Sequence, residues 1–112
     1  MSDVCIFCKI ASGEIPAEKI YENENFFSIL DKNQDVKGHA LVIPKKHFVN
    51  SLDLPVSLGQ EFLDCIKETV IKTMGESKAE GFNIINNNGS VAGQIVMHLH
   101  YITFSLEKKA TG

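Results

Sequence analysis

From Leu58 to Met74 an apolar residue returns at every fourth position (Leu58, Phe62, Ile66, Val70, Met74), with Leu63 and Cys65 beside them. That spacing draws one apolar stripe along a helix, and Gly75 marks its stop. Ser57-x-x-Gln60 has the form of a capping box at its start. One long amphipathic helix needs an apolar surface to cover, and the rest of the chain offers strands.

The remaining segments are short and carry the period of β-structure. Lys19–Glu22 and Phe26–Leu30 read as two strands joined by an Asn-rich hairpin turn. "DKNQDVKGH" is a polar loop, and "ALVIP" is a buried strand closed by Pro44. "GFNIINNNG" is a strand running into a turn, and "IVMHLHYITF" is a last strand. Ahead of them, Cys5 to Ala11 forms a short helical turn ended by Ser12-Gly13, and residues 105–112 read as a flexible tail. Without repeats or a linker, 112 residues make a single α+β domain, an antiparallel sheet with one long helix.

Composition excludes several function classes. A net charge of −3 argues against a binder of nucleic-acid backbones, and all 11 basic residues are lysine, so no guanidinium fork is available for phosphate. Phosphate would be met by His, Asn, hydroxyls or backbone N–H groups. No apolar run approaches the roughly 20 residues of a membrane span, and no signal peptide is read before Cys5, so a cytoplasmic chain is expected. Three cysteines there, two as C-x-x-C, suit metal or redox chemistry better than a disulfide framework.

Cys5 and Cys8 on one helical turn can face one metal, form a redox couple, or pack as small hydrophobes. The thioredoxin-like βαβ context of a redox pair is absent. A Cys₂His₂ site would draw on His39, His47, His98 and His100, and spacing alone does not choose among them. His39 and His47 flank the "ALVIP" strand, a setting that also suits hydrogen-bonded structural histidines. In "VMHLHYI", alternation puts His98, His100 and Ile102 on one face, where one imidazole can orient and the other act as nucleophile or base. The Gly/Asn/Ser-rich "NNNGSVAGQ" just before them can turn N–H groups toward an anion, though ordinary turns share that composition.

Taken together, "CIFCKI", "GEIPAEKIYE", "GHALVIPKKHF", "GFNI", "NNG" and "AGQ-x-V-x-HLH" resemble the histidine triad (HIT) family, Hint branch, over positions 4 to 101. The resemblance implies a HIT-like α+β fold: an antiparallel sheet of about five strands, one long helix, a short N-terminal helix, and a homodimer whose sheets join across the long helix and a strand. It implies binding of purine nucleotides and cleavage of phosphoramidate or related bonds at the α-phosphate, through a nucleotidyl-histidine. The nucleophile then matches His100, and His39 the second active-site histidine. Nucleotide contacts fall on Phe7, Ile10, Ile15, Ile29, Asp31, Asn87, Gly93 and Gln94, with Asp31 accepting from the ribose. Zinc of bacterial-type members would be held by Cys5, Cys8, His47 and His98.

The chain departs from the family pattern in four places. The third triad histidine is replaced by Ile102, and Ile95 stands where many members have a hydroxyl. The 31–39 loop lacks the usual prolines, and the tail after Phe104 is short. Loss of one phosphate-side donor or acid lowers rates by on the order of 10²–10⁴. These departures predict a slow hydrolase working through His100, with a silent, zinc-stapled nucleotide-binding protein as the alternative.

Overall fold

The computed structural model describes residues 5–31 and 39–107. A short helix α1 (Ile6–Ala11) leads into strands β1 (Lys19–Glu22), β2 (Phe26–Leu30) and β3 (Ala40–Pro44). Two 3₁₀ turns, Ser51–Asp53 and Val56–Leu58, precede the long helix α2 (Gly59–Gly75), and β4 (Ala79–Ile85) and β5 (Tyr101–Glu107) complete the sheet. All pairs are antiparallel in the order β1-β2-β3-β5-β4, giving the five-stranded α+β architecture expected from the sequence.

Alternation along the central strands builds two cores. Phe26 of β2 and Val42 of β3 face α2, meeting Cys65, Ile66 and Val70. Their neighbours Phe27, Ile29 and Ile43 point the other way, against Phe7 and Ile10 of α1. Both faces of β2 are therefore covered, which is why "FFSIL" reads as a nearly continuous apolar run. Two hydroxyl pairs cross the helix-side core: Thr69 Oγ1 donates to Ser28 Oγ at 2.6 Å, and Ser105 Oγ to Thr73 Oγ1 at 3.2 Å.

Three details differ from the sequence reading. Ser57 and Gln60 form no capping box, because the Val56–Leu58 turn runs straight into α2 and Leu58 occupies the cap without a side-chain bond. The reciprocal box forms instead at Asn50 and Asp53. Leu63 lies off the buried stripe and is exposed, while Thr69 and Thr73 take buried places beside Ile66 and Val70. The last strand starts at Tyr101 rather than at Ile95, and it runs past Phe104 because β4 supplies partners that far (Phe82 for Ser105, Gly81 for Leu106, Ala79 for Glu107). The free tail expected from 105 thus begins no earlier than 108, and residues 108–112 lie outside the described residues. The polar loop expected between Asp31 and His39 also lies there, at 32–38.

Candidate functional site: a Cys/His cluster beside an imidazole and an apolar cavity

Cys5 caps α1, its thiol accepting from the Cys8 N–H at 3.4 Å, so the two sulfurs sit one turn apart on the same side. The loop after β3 brings His47 to them, and the segment before β5 brings His98. All four donor atoms lie within 4.8 Å of one another. His98 Nδ1 is 3.2 Å from Cys5 Sγ, 3.5 Å from Cys8 Sγ and 3.2 Å from His47 Nδ1, and Cys8 Sγ is 3.2 Å from His47 Nδ1.

These separations fit a tetrahedral cation. Metal bonds of about 2.1 Å to nitrogen and about 2.3 Å to sulfur, opened to the tetrahedral angle, set two nitrogens about 3.4 Å apart and a nitrogen about 3.6 Å from a sulfur. The tautomer also fits. His98 Nε2 donates to the Pro44 carbonyl at 2.8 Å, which leaves the Nδ1 lone pair facing the cluster. Burial holds the His98 imidazolium down at about 4, so the ring is a neutral ligand near neutrality. Burial, then the bond to Cys5 and its charge, push the Cys8 thiol up to about 11; a bound cation would invert that preference.

His100 stands next to this cluster in a different state. Its Nδ1 donates to the His98 carbonyl at 2.8 Å, which leaves Nε2 carrying the lone pair. The Phe7 ring packs edge-on against both imidazoles, with centroids 5.6 Å from His98 and 5.2 Å from His100. Phe7 also lines a cavity of about 630 Å³ shared with Ile10, Ile15, Ile29, Asp31 and Leu41. Five of the eight nucleotide contacts expected from the resemblance line this cavity, and Leu41 joins them; Asn87, Gly93 and Gln94 are not in its lining. His100 is absent from the lining, and Phe7 touches both its ring and the cavity.

His39 occupies the end of β3 away from the cluster. Its ring lies 4.4 Å from that of Phe104, and its buried Nε2 is 3.4 Å from Asp31 Oδ2 without a hydrogen-bond partner among the described residues. No direct contact among the described residues joins His39 to His100. Ile102, in the place of the third histidine, is paired with Leu41 on one side and Ile85 on the other, an apolar setting. Ile95 is 90% exposed.

The loop before His98 is tightly braced. Gln94 is buried, its Oε1 accepting from the Gly89 N–H at 2.7 Å and its Nε2 donating to the Val49 and Val96 carbonyls at 2.6 and 3.0 Å. Gly93 adopts φ +96°, and a Cβ there would meet Asn87 Nδ2 at 3.6 Å. Sequence reasoning missed Asn86, whose Nδ2 donates to the His100 carbonyl at 3.1 Å. The run of three asparagines carried that signal, but only tertiary pairing says which one turns toward the histidine.

A small α+β domain with a metal-type cluster against a free imidazole and an apolar cavity defines the class. The comparisons narrow it. The HIT domain profile matches residues 12–105, and the chain belongs to the HIT family. It is 47% identical over 100 residues to an uncharacterized HIT-like protein of Methanocaldococcus jannaschii, covering 88% of this chain and 75% of that one. It is 36% identical to the adenosine 5'-monophosphoramidase of Candida albicans (96% and 74% covered), and 37% identical to the adenylylsulfatase of Arabidopsis thaliana (86% and 49% covered). The crystal structure of a HIT family member from Bacillus subtilis superposes with a TM-score of 0.86 at 39% identity, over 92% of this chain and 73% of that one.

Proposed function

We propose that the protein is a nucleotide hydrolase that cleaves phosphoramidate or related bonds at the α-phosphate of a purine nucleotide, through a nucleotidyl intermediate on His100. The observation that carries this reading is the His100 tautomer: Nδ1 is committed to the His98 carbonyl, so Nε2 is the nucleophilic lone pair. Nε2 attacks phosphorus, the P–N bond to the leaving amine breaks, and the amine departs with a proton taken from solvent, which the water of the second step returns. Water then attacks the same phosphorus, the P–Nε2 bond breaks, and nucleoside monophosphate leaves. The apolar cavity takes the base, and Asp31 at its rim accepts from the ribose. Asn87, Gly93 and Gln94 shape the phosphate side, Gln94 from within the loop as a brace. His39, next to Asp31 and Phe104, borders the ribose side of the reaction. The monophosphoramidase and adenylylsulfatase among the relatives support this chemistry.

The donor set of two thiolates and two imidazoles suits zinc, held by Cys5, Cys8, His47 and His98. Bound there, zinc would supply structural cross-linking of α1 to the histidine segment. The dimer of this reading uses the open side of β4, an edge strand that exposes Phe82, Ile84 and Ile85, together with the exposed Leu63 and Ile71 of α2. Sedimentation at micromolar concentration should then give twice the chain mass.

A second reading is favoured by Ile102: with Leu41 and Ile85 beside it, that position offers the phosphate no donor, which suits a nucleotide-binding protein without turnover. Hydrolysis of adenosine 5'-monophosphoramidate by the parent, His100→Ala and Ile102→His separates the two. Slow parental turnover, loss in His100→Ala and a gain of on the order of tenfold or more in Ile102→His are expected. Equal rates in the parent and His100→Ala would sink the first reading.

A further inference from the structure

At His100 the sheet has run out. The last β3 partner of β5 is Val42, opposite Tyr101, and the last β4 partner is Ile85, opposite Ile102. The segment before β5 is held by single bonds instead: the His98 ring to Pro44, the Leu99 N–H to the Phe48 carbonyl at 2.7 Å, and the His100 ring to the His98 carbonyl. The His100 carbonyl lies beyond both ladders, and the Asn86 side chain donates to it at 3.1 Å.

Asn86 is itself oriented. Its Oδ1 accepts from Asn88 Nδ2 at 2.5 Å, and Asn88 Oδ1 accepts from the Ser51 N–H at 2.7 Å. The direction of this chain is forced from both ends. A main-chain N–H can only donate to Asn88 oxygen, which leaves Asn88 nitrogen to face Asn86 oxygen, and Asn86 nitrogen to face a carbonyl. Between them, Asn87 lies by Gly93 instead. The middle asparagine is left for the phosphate side while its two neighbours form the brace.

We propose that Asn86, set by Asn88, is a positioning residue for His100. It fixes the peptide plane that follows His100, and so the ring whose Nδ1 must reach the His98 carbonyl. The inference rests on His100 being the nucleophile of the hydrolase reading. Asn86 touches no substrate in this account and acts through the histidine backbone.

The test is Asn86→Asp, which keeps the shape and replaces the donor with an oxygen facing the His100 carbonyl. Single-turnover formation of nucleotidyl-His100 should fall about 10- to 100-fold, the scale of a small misplacement of a reacting group. Affinity for adenosine monophosphate should stay within about twofold, and metal content should be unchanged. Ring ¹⁵N shifts of His100 should move from one Nδ1–H tautomer to a mixture. Asn88→Ala, at an exposed position, is the second variant: it leaves Asn86 in place but unoriented, and should move both readouts in the same direction by less. An unchanged His100 ring signature in both variants overturns the proposal, as does a rate loss matched by an equal loss of affinity and metal. If the parent forms no nucleotidyl-histidine while Asn86→Asp still alters the ring, the brace stands and the hydrolase reading falls.

Discussion

If the Cys/His cluster holds the proposed zinc, removing it should loosen the molecule far from the cluster itself. Cys5 caps α1 and Cys8 lies within it, His47 belongs to the loop after β3 and His98 to the segment before β5, so a single ion there would tie together residues up to 93 positions apart. Four of the six donor–donor separations already stand within a few tenths of an ångström of tetrahedral edges, so rearrangement on binding is small. Linkage then sets the scale. With free metal at about 1,000 times its dissociation constant, the folded state gains about 4 kcal/mol. For a domain of this size that is roughly 10–20 °C in Tm. The assay is calorimetry of the protein as purified, after dialysis against a chelator under reducing conditions, and after stoichiometric zinc is returned. Cys8→Ser, which keeps the side-chain size but offers no thiolate, should sit near the chelated value and respond little to zinc. A melting temperature indifferent to chelation and to zinc would mean that the cluster is four packed side chains that need no ion.

Two other outcomes follow from single positions. The Cys65 thiol is fully buried, and burial pushes it from 9.0 up to about 11. Its folded pKa is raised, so its contribution is fully present below about pH 9 and is lost as pH rises toward 11, by about 3 kcal/mol at most. Denaturant titrations from pH 8 to 11 should show a shallower alkaline fall in Cys65→Ala than in the parent; parallel curves would contradict this. At Gly93, φ +96° is a conformation that a Cβ strains by roughly 1–2 kcal/mol, and the added methyl would lie in ordinary contact with Asn87 Nδ2 at 3.6 Å, so any backbone relief there shifts Asn87. Gly93→Ala should lower Tm by several degrees and weaken nucleotide binding together, measured by calorimetry, while unchanged binding would separate Gly93 from the phosphate side.

Much of this architecture was legible in the sequence, and the unreadable parts share a cause. The four-residue spacing from Leu58 to Met74 located α2, and the "FFSIL" and "ALVIP" runs located the two most buried strands. C-x-x-C announced two ligands of a cluster, but which histidines complete it depends on where β3 ends and β5 begins. Only the family pattern pointed to His47 and His98. The "VMHLHYITF" stretch alternates like a strand throughout, yet β5 starts at Tyr101. Before that point the Leu99 N–H bonds to Phe48, the His100 carbonyl to the Asn86 side chain and the His98 ring to Pro44, in place of a ladder, and alternation of side chains carries no record of that choice. Leu63 shows the same limit: its spacing fits the apolar stripe, but it sits on the rim and is exposed. The buried Thr69 and Thr73 were invisible to a hydrophobic pattern because their hydroxyls find partners in Ser28, Ser105 and the Val70 carbonyl.

The central claim is that His100 Nε2 is the atom that takes the nucleotide. Rapid mixing with adenosine 5'-monophosphoramidate, quenching, and mass spectrometry of the intact chain and its peptides test it directly. One adenylyl group is expected on His100 in the parent and none in His100→Ala. An adduct on another residue, or product formed at the parental rate by His100→Ala, would contradict it.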